Sequence, residues 1–166
     1  MNTRNNLNNN KITKVLFICL GNICRSPAAD GVMRHLVKES GREADFVIDS
    51  AGTGGWHVGE LPDSRMRACG ARHGYKFDHR ARQFSCDDFS DFDLLVVMDN
   101  GNYRVVSNMA QTDEEREKIV MLADYMRNHK GQTTIPDPYY GSDRDFEFAL
   151  ELIEDACQGL LDALSD

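Results

Sequence analysis

Cys19 and Arg25 stand six residues apart in the run VLFICLGNICRSP, residues 15–27, with Gly21 and Asn22 between them. A thiol followed by a turn and an arginine is what a nucleophile needs to attack phosphorus in a phosphate ester. A loop between a strand and a helix can curl its backbone N–H groups around an anion. The helix N-terminus adds partial positive charge, and arginine offers a bidentate fork to two phosphate oxygens. The same field stabilises a thiolate at Cys19. The blander reading is a buried, inert cysteine at a strand end. The apolar strand before it, the Gly21-Asn22 turn and the Ser26-Pro27 helix opening after it favour the chemical one.

The elements that must position this loop are legible in the hydrophobic pattern. Val15–Ile18, Phe46–Ile48, Leu94–Met98 and Ile119–Leu122 are nearly continuous apolar runs, as buried parallel strands are. Helical patterns separate them. Ser26 can cap the first helix and Pro27 suits its first turn. Val32, Met33, Leu36 and Val37 form its apolar stripe, and Gly41 ends it. Residues 62–73 and 99–109 read as two further helices. The last starts at Ser142 with Asp145 as a capping box and carries the stripe Phe146, Leu150, Ile153, Cys157, Leu160, Leu161 and Leu164. Strands alternating with helices predict a parallel sheet covered on both faces, with ligands bound beyond the carboxyl ends of the strands. Cys19 lies at such an end.

The chain has 166 residues, enough for one domain with a real core. Residues 1–10 are Asn-rich and polar and are expected to form a disordered tail; residues 11–166 are expected to form a single domain. No secretory h-region and no 18-residue apolar run occur, so neither export by signal peptide nor a membrane span is expected. The five cysteines, an odd number in a chain this long, argue against a disulfide framework and for a reducing cytoplasm. No CxxC or Cys/His pair has zinc spacing, and no metal or cofactor is expected. The net charge of −8 makes a nucleic-acid partner unlikely. Residues 64–82 carry six bases against one acid, Asp78. That stretch could steer an anion, but a solvated helix face is the simpler reading.

The segment ICLGNICRSPAAD, residues 18–30, resembles the active-site loop of the low-molecular-weight protein tyrosine phosphatases. DPYYG, Asp137 to Gly141, is similar to that family's general-acid loop. DSAGT (49–53), WHVG (56–59), HRARQ (79–83) and FDLLVVMD (92–99) are similar to family segments in the same order, so the resemblance spans roughly residues 12 to 164. It implies a three-layer α/β/α fold with a four-stranded parallel sheet, flavodoxin-like, of the phosphotyrosine phosphatase I type.

It also implies roles. Cys19 would form a phosphocysteine, while Arg25 and the loop N–H groups of Leu20, Gly21, Asn22, Ile23, Cys24 and Arg25 hold the phosphoryl oxygens. Asp137 would protonate the leaving phenolate and then deprotonate the attacking water. Read alone, its Asp-Pro pair is an ordinary turn former. Ser26 resembles the family serine that donates to the thiolate. Asn22, Ser50 and His79 match a hydrogen-bonded network under the loop, and Asp99 an aspartate that orients the arginine. Trp56, Tyr139 and Tyr140 would wall the pocket. A deep aromatic cleft favours phosphotyrosine over the shorter phosphoserine. In a tightly wound loop the sulfurs of Cys19 and Cys24 can approach bonding distance, and family members use such a pair against irreversible oxidation.

The expected activity is therefore a metal-independent protein tyrosine phosphatase with a phosphoprotein substrate, monomeric and cytoplasmic, with no membrane or nucleic-acid partner. Three rivals are weighed against it. An arsenate reductase of this fold needs relay cysteines just after the third strand, where this chain reads MDNGNY (98–103). A protein arginine phosphatase of the family typically has threonine where this chain has Ile23. A non-catalytic phosphoprotein-binding module would need no general acid.

Overall fold

A computed structural model describes residues 11–165; the polar tail read over residues 1–10 lies outside the described residues. In chain order the elements are β1 (Thr13–Cys19), α1 (Arg25–Glu39), a 3-10 turn (Glu43–Asp45), β2 (Phe46–Gly52), α2 (Ser64–Arg72) and α3 (Asp88–Asp91). Then follow β3 (Leu94–Val97), α4 (Asn100–Met109), α5 (Asp113–Glu117), β4 (Ile119–Met121), a 3-10 turn (Leu122–Tyr125) and α6 (Asp143–Ala163). The four strands are parallel in the order β2-β1-β3-β4.

The unbroken apolar run of β1 follows from its place in the middle of the sheet. Val15, Phe17 and Cys19 face one core, shared with Val32 and Met33 of α1 and Phe146 and Ile153 of α6. Leu16 and Ile18 face the other, shared with Phe89 of α3, Leu95 and Val97 of β3 and Val106 of α4. Neither face meets water, so alternation disappears and only the period-2 division between cores remains. This is the three-layer arrangement expected from the sequence.

Strand and long-helix positions agree with the sequence reading to within a few residues. The short α3 and α5 and both 3-10 turns were not read from it. They are too brief to show a 3.6-residue period. Asp63 caps α2 by accepting from Arg65 N at 2.8 Å. The α6 capping box of Ser142 and Asp145 is present. One expectation fails. Ser26 is not the cap of α1: the helix begins at Arg25 with Cys24 in the cap position, and Ser26 lies inside its first turn. Its hydroxyl has a tertiary partner instead, described below.

Candidate active site

The loop from Leu20 to Cys24 joins the carboxyl end of β1 to α1 and is held from outside through its carbonyls. Cys19 O accepts from Thr53 N, Leu20 O from Gly54 N, Ile23 O from Asp63 N and Cys24 O from Ala28 N. In a trans peptide the N–H points opposite to the preceding C=O. The N–H groups of Leu20, Gly21, Cys24 and Arg25 are therefore turned away from these partners, toward the inside of the loop. Asn22 supplies the bend with φ of 56°, the left-handed region that Asn adopts more readily than most residues. Gly52 lets the loop lie directly on β2, since a Cβ there would stand 2.9 Å from Leu20 O. The result is a concave ring of amides at a helix N-terminus, an anion cradle.

Cys19 sits beneath the cradle, 3 % exposed. A chain of hydrogen bonds fixes the proton beside it. Arg82 N can only donate, and it donates to Asn22 Oδ1 at 3.0 Å. The other end of that amide, Nδ2, therefore donates to Ser26 Oγ at 2.7 Å and to Ser50 Oγ at 3.0 Å. Ser26 Oγ has one hydrogen and two neighbours that can accept it, Cys19 Sγ at 3.0 Å and Ala51 O at 3.4 Å; a Cys19 thiolate, which can only accept, takes it as the nearer of the two. His79 Nε2 meets the same Asn22 Oδ1 at 3.2 Å and so carries a proton there. Asn22, Ser26, Ser50 and His79 are thus brought together as one network under the sulfur.

Arg25 is 2 % exposed and its guanidinium is divided. Both hydrogens of Nη1 are taken, by Asp99 Oδ2 at 2.6 Å and Ile135 O at 2.9 Å. Nε and Nη2 remain for a ligand, and Nη2 looks across to Asp137 Oδ2 at 3.5 Å. Asp99 divides its carboxylate likewise: Oδ1 caps α4 through Asn102 N at 2.8 Å while Oδ2 holds the arginine.

Asp137 stands over the opening, its side chain 39 % exposed. Its Oδ1 accepts from Tyr139 N at 3.1 Å, while Oδ2 is the oxygen that faces Arg25. The Asp137 loop is tethered by Arg65, whose Nη2 donates to Tyr139 O at 2.9 Å while its guanidinium lies over the Phe146 ring.

Cys19, Leu20, Gly21, Ile23, Cys24, Arg25, Trp56, His57, Asp137, Tyr139 and Tyr140 enclose a cavity of about 280 Å³. Trp56 is 70 % and Tyr140 96 % exposed, so two aromatic faces stand free at the rim. Tyr139 packs edge-on against Tyr140 with ring centres 4.9 Å apart. Burial pushes the Cys24 thiol well above the ordinary thiol range. His57 was missed by sequence reasoning. It lines the cavity, with Nδ1 2.5 Å from Glu60 Oε2. Its signal was adjacency to Trp56 in the polar loop WHVGE.

The basic stretch of residues 64–82 is largely consumed by internal partners. Arg65 pairs with Asp63, Arg72 with Glu147, and Arg82 with Asp49 and Asp88. Arg67 and Arg80 donate to backbone carbonyls of Pro62 and Gly59. Its arginines, three on α2 and two in the segment after it, are held by these partners rather than arrayed to steer anions.

Residues 14–166 match the family described as low molecular weight phosphotyrosine protein phosphatase. The chain is similar to a putative low molecular weight protein-tyrosine-phosphatase of Synechocystis, 45 % identical over 91 % of this chain and 96 % of the relative. Among solved structures it resembles a protein tyrosine phosphatase from Entamoeba histolytica with Hepes in the active site. There the TM-score is 0.89 and the identity 39 %, covering 92 % of this chain and 97 % of that one. It is also similar to a Drosophila arginine phosphatase, TM-score 0.86 and 36 % identity over 93 % of this chain and 99 % of that one.

Proposed function

This chain belongs to the low molecular weight phosphotyrosine protein phosphatase family, and from that premise we propose how its own residues carry the reaction. It hydrolyses phosphotyrosine in protein substrates. The observation that supports the residue assignment most is the one cavity bordered by Cys19, Arg25 and Asp137.

Cys19 Sγ, as thiolate, attacks phosphorus in line with the leaving oxygen. Ser26 Oγ–H donates to the thiolate sulfur. The loop amides, with Nε and Nη2 of Arg25, take the equatorial oxygens and strengthen their hold as charge gathers in the transition state. Asp137 Oδ2–H protonates the phenolate as the P–O bond breaks. The phosphoryl group then sits on Cys19. Asp137, now a carboxylate, accepts a proton from water; the water attacks phosphorus, the S–P bond breaks, and phosphate leaves with the thiolate restored. Every charge in these steps is met by Arg25 and backbone amides, so the sequence of steps needs no metal.

Trp56, Tyr139 and Tyr140 suit a planar aromatic leaving group, and the depth of Cys19 excludes the short arm of phosphoserine. The buried Ile23 side chain borders the same cavity and favours an aryl ester over a charged phosphoguanidinium. The likeness to an arginine phosphatase keeps phosphoarginine as the second reading. The test is kcat/KM for matched phosphotyrosine, phosphoarginine and phosphoserine peptides. Phosphotyrosine is expected to lead; a lead for phosphoarginine would replace the substrate while leaving the chemistry intact.

The same features support the wider setting of this proposal. The chain is acidic, which disfavours nucleic acid. No described helix is long and apolar enough to cross a membrane. Its five cysteines are free thiols, as suits a reducing cytoplasm. It acts there as a monomer on phosphoproteins.

A further inference from the structure

A second cluster of reactive side chains lies at the C-terminal end of α2, apart from the cavity around Cys19. Cys69 and His73 are four residues apart and share a face of the helix end. Helix α6 brings Glu147 and Glu154 against them. Cys69 Sγ, a His73 ring nitrogen and a Glu147 carboxylate oxygen all lie within 4.8 Å of one another. None lines the catalytic cavity, and the mechanism above uses none of them.

We propose that Cys69, His73 and Glu147 form a binding site for a zinc-type divalent ion that clips α2 to α6. Thiolate, imidazole and carboxylate together are a donor set that zinc takes readily. Metal–ligand lengths of about 2.0–2.3 Å put the ligand atoms of a tetrahedral site about 3.3–3.8 Å apart. Nε2 of His73 and Oε2 of Glu147, 2.6 Å apart, part to that spacing to admit the ion, while Cys69 Sγ lies within 4.8 Å of both.

The surrounding groups already have the arrangement that orients metal ligands. His73 Nδ1 faces Glu154 Oε1 at 3.0 Å, and Glu154 Oε2 accepts from Tyr75 Oη at 2.7 Å. Held so, the ring donates from Nδ1 to Glu154 and from Nε2 to Glu147 Oε2, 2.6 Å away. Arg72 Nε donates to the other oxygen, Glu147 Oε1, at 2.9 Å. An ion entering between Nε2 and Oε2 finds the imidazole oriented and the second carboxylate oxygen satisfied. Cys69 closes the site from the buried side. His73 and Glu147 are partly exposed, so a water completes the fourth position from solvent. Binding displaces the Cys69 thiol proton and the Nε2 proton of His73 to solvent; no atom changes oxidation state. The spacing Cys69-x3-His73 gives no zinc motif in the sequence because Glu147 follows 74 residues after His73.

Cobalt(II) tests the site, with full-length reduced protein carrying Cys19→Ser so that the nucleophile cannot compete. Co²⁺ is expected to raise one equivalent of a near-ultraviolet thiolate-to-cobalt charge-transfer band, bleached by one equivalent of Zn²⁺. Adding Cys69→Ala abolishes the band. His73→Gln and Glu147→Gln, at partly exposed positions, weaken Co²⁺ binding by about tenfold or more, and Glu154→Gln by about tenfold. Zn²⁺ raises Tm in the background protein and not in His73→Gln. Absence of the band under excess Co²⁺, its persistence in the Cys69→Ala protein, or unchanged affinity in both His73→Gln and Glu147→Gln overturns the proposal.

Discussion

Ser26 Oγ lies 3.0 Å from Cys19 Sγ and accepts from Asn22 Nδ2 at 2.7 Å, so its single hydrogen is available to the sulfur once Cys19 is a thiolate. The Asn22 amide is oriented from some distance away, by the backbone N–H of Arg82 on Asn22 Oδ1. A helix residue that looked like a cap is thereby made part of the thiolate's environment.

Ser26→Ala removes that donor. A hydrogen bond to a charged group contributes about 1.5–3 kcal/mol, so kcat is expected to fall by about ten- to a hundredfold with KM little changed. Steady-state kinetics on a phosphotyrosine peptide checks this. An unchanged kcat would mean that the hydroxyl only packs.

Asp99 serves two elements, and two substitutions separate them. Asp99→Asn still caps α4, because Asn is a good N-cap, but gives Arg25 a neutral partner. It should lower kcat/KM while leaving Tm nearly unchanged. Asp99→Ala loses the cap as well, about 1 kcal/mol, and should lower both. Equal Tm losses in the two variants would show that the ion pair, and not the cap, holds the loop.

Asp137→Asn keeps the acceptor for Tyr139 N but has no proton to give. General acid catalysis contributes about 10²- to 10⁴-fold, and kcat on phosphotyrosine should fall within that range. Aryl phosphates with more acidic phenols need less help, so the deficit should shrink along such a series. A deficit independent of leaving group would assign Asp137 a binding role.

Cys24 is buried beside the same cavity, and burial holds its sulfur as the thiol. Peroxide oxidises the Cys19 thiolate to the sulfenic acid; Cys24 then attacks that sulfur, giving the disulfide and water. The parent should recover activity with added thiol after mild peroxide, and Cys24→Ser should lose a larger fraction irreversibly. Equal recovery of the two proteins would remove Cys24 from this role.

Much of this was legible in the chain because it is local. The turn from Cys19 to Arg25 is set by neighbours within a few residues, whereas the acid role of Asp137 was legible only through the family resemblance, since its Asp-Pro pair read alone is an ordinary turn former. What sequence reasoning missed depends on distant contacts. Asn22, which meets Ser26 from nearby, is itself oriented by Arg82 N, sixty residues on. Arg65 looked like surface charge, yet its contacts with Tyr139 O and Phe146 fix the acid loop. His57 gained its place at the cavity through the fold of the WHVGE loop, and that loop has no periodicity to read.

The most direct test of the central claim is hydrolysis of a phosphotyrosine peptide in EDTA by the reduced parent and by Cys19→Ser, side by side. The account predicts turnover by the parent and none by the variant, with both folded. Turnover by Cys19→Ser, or none by the folded parent, would contradict it.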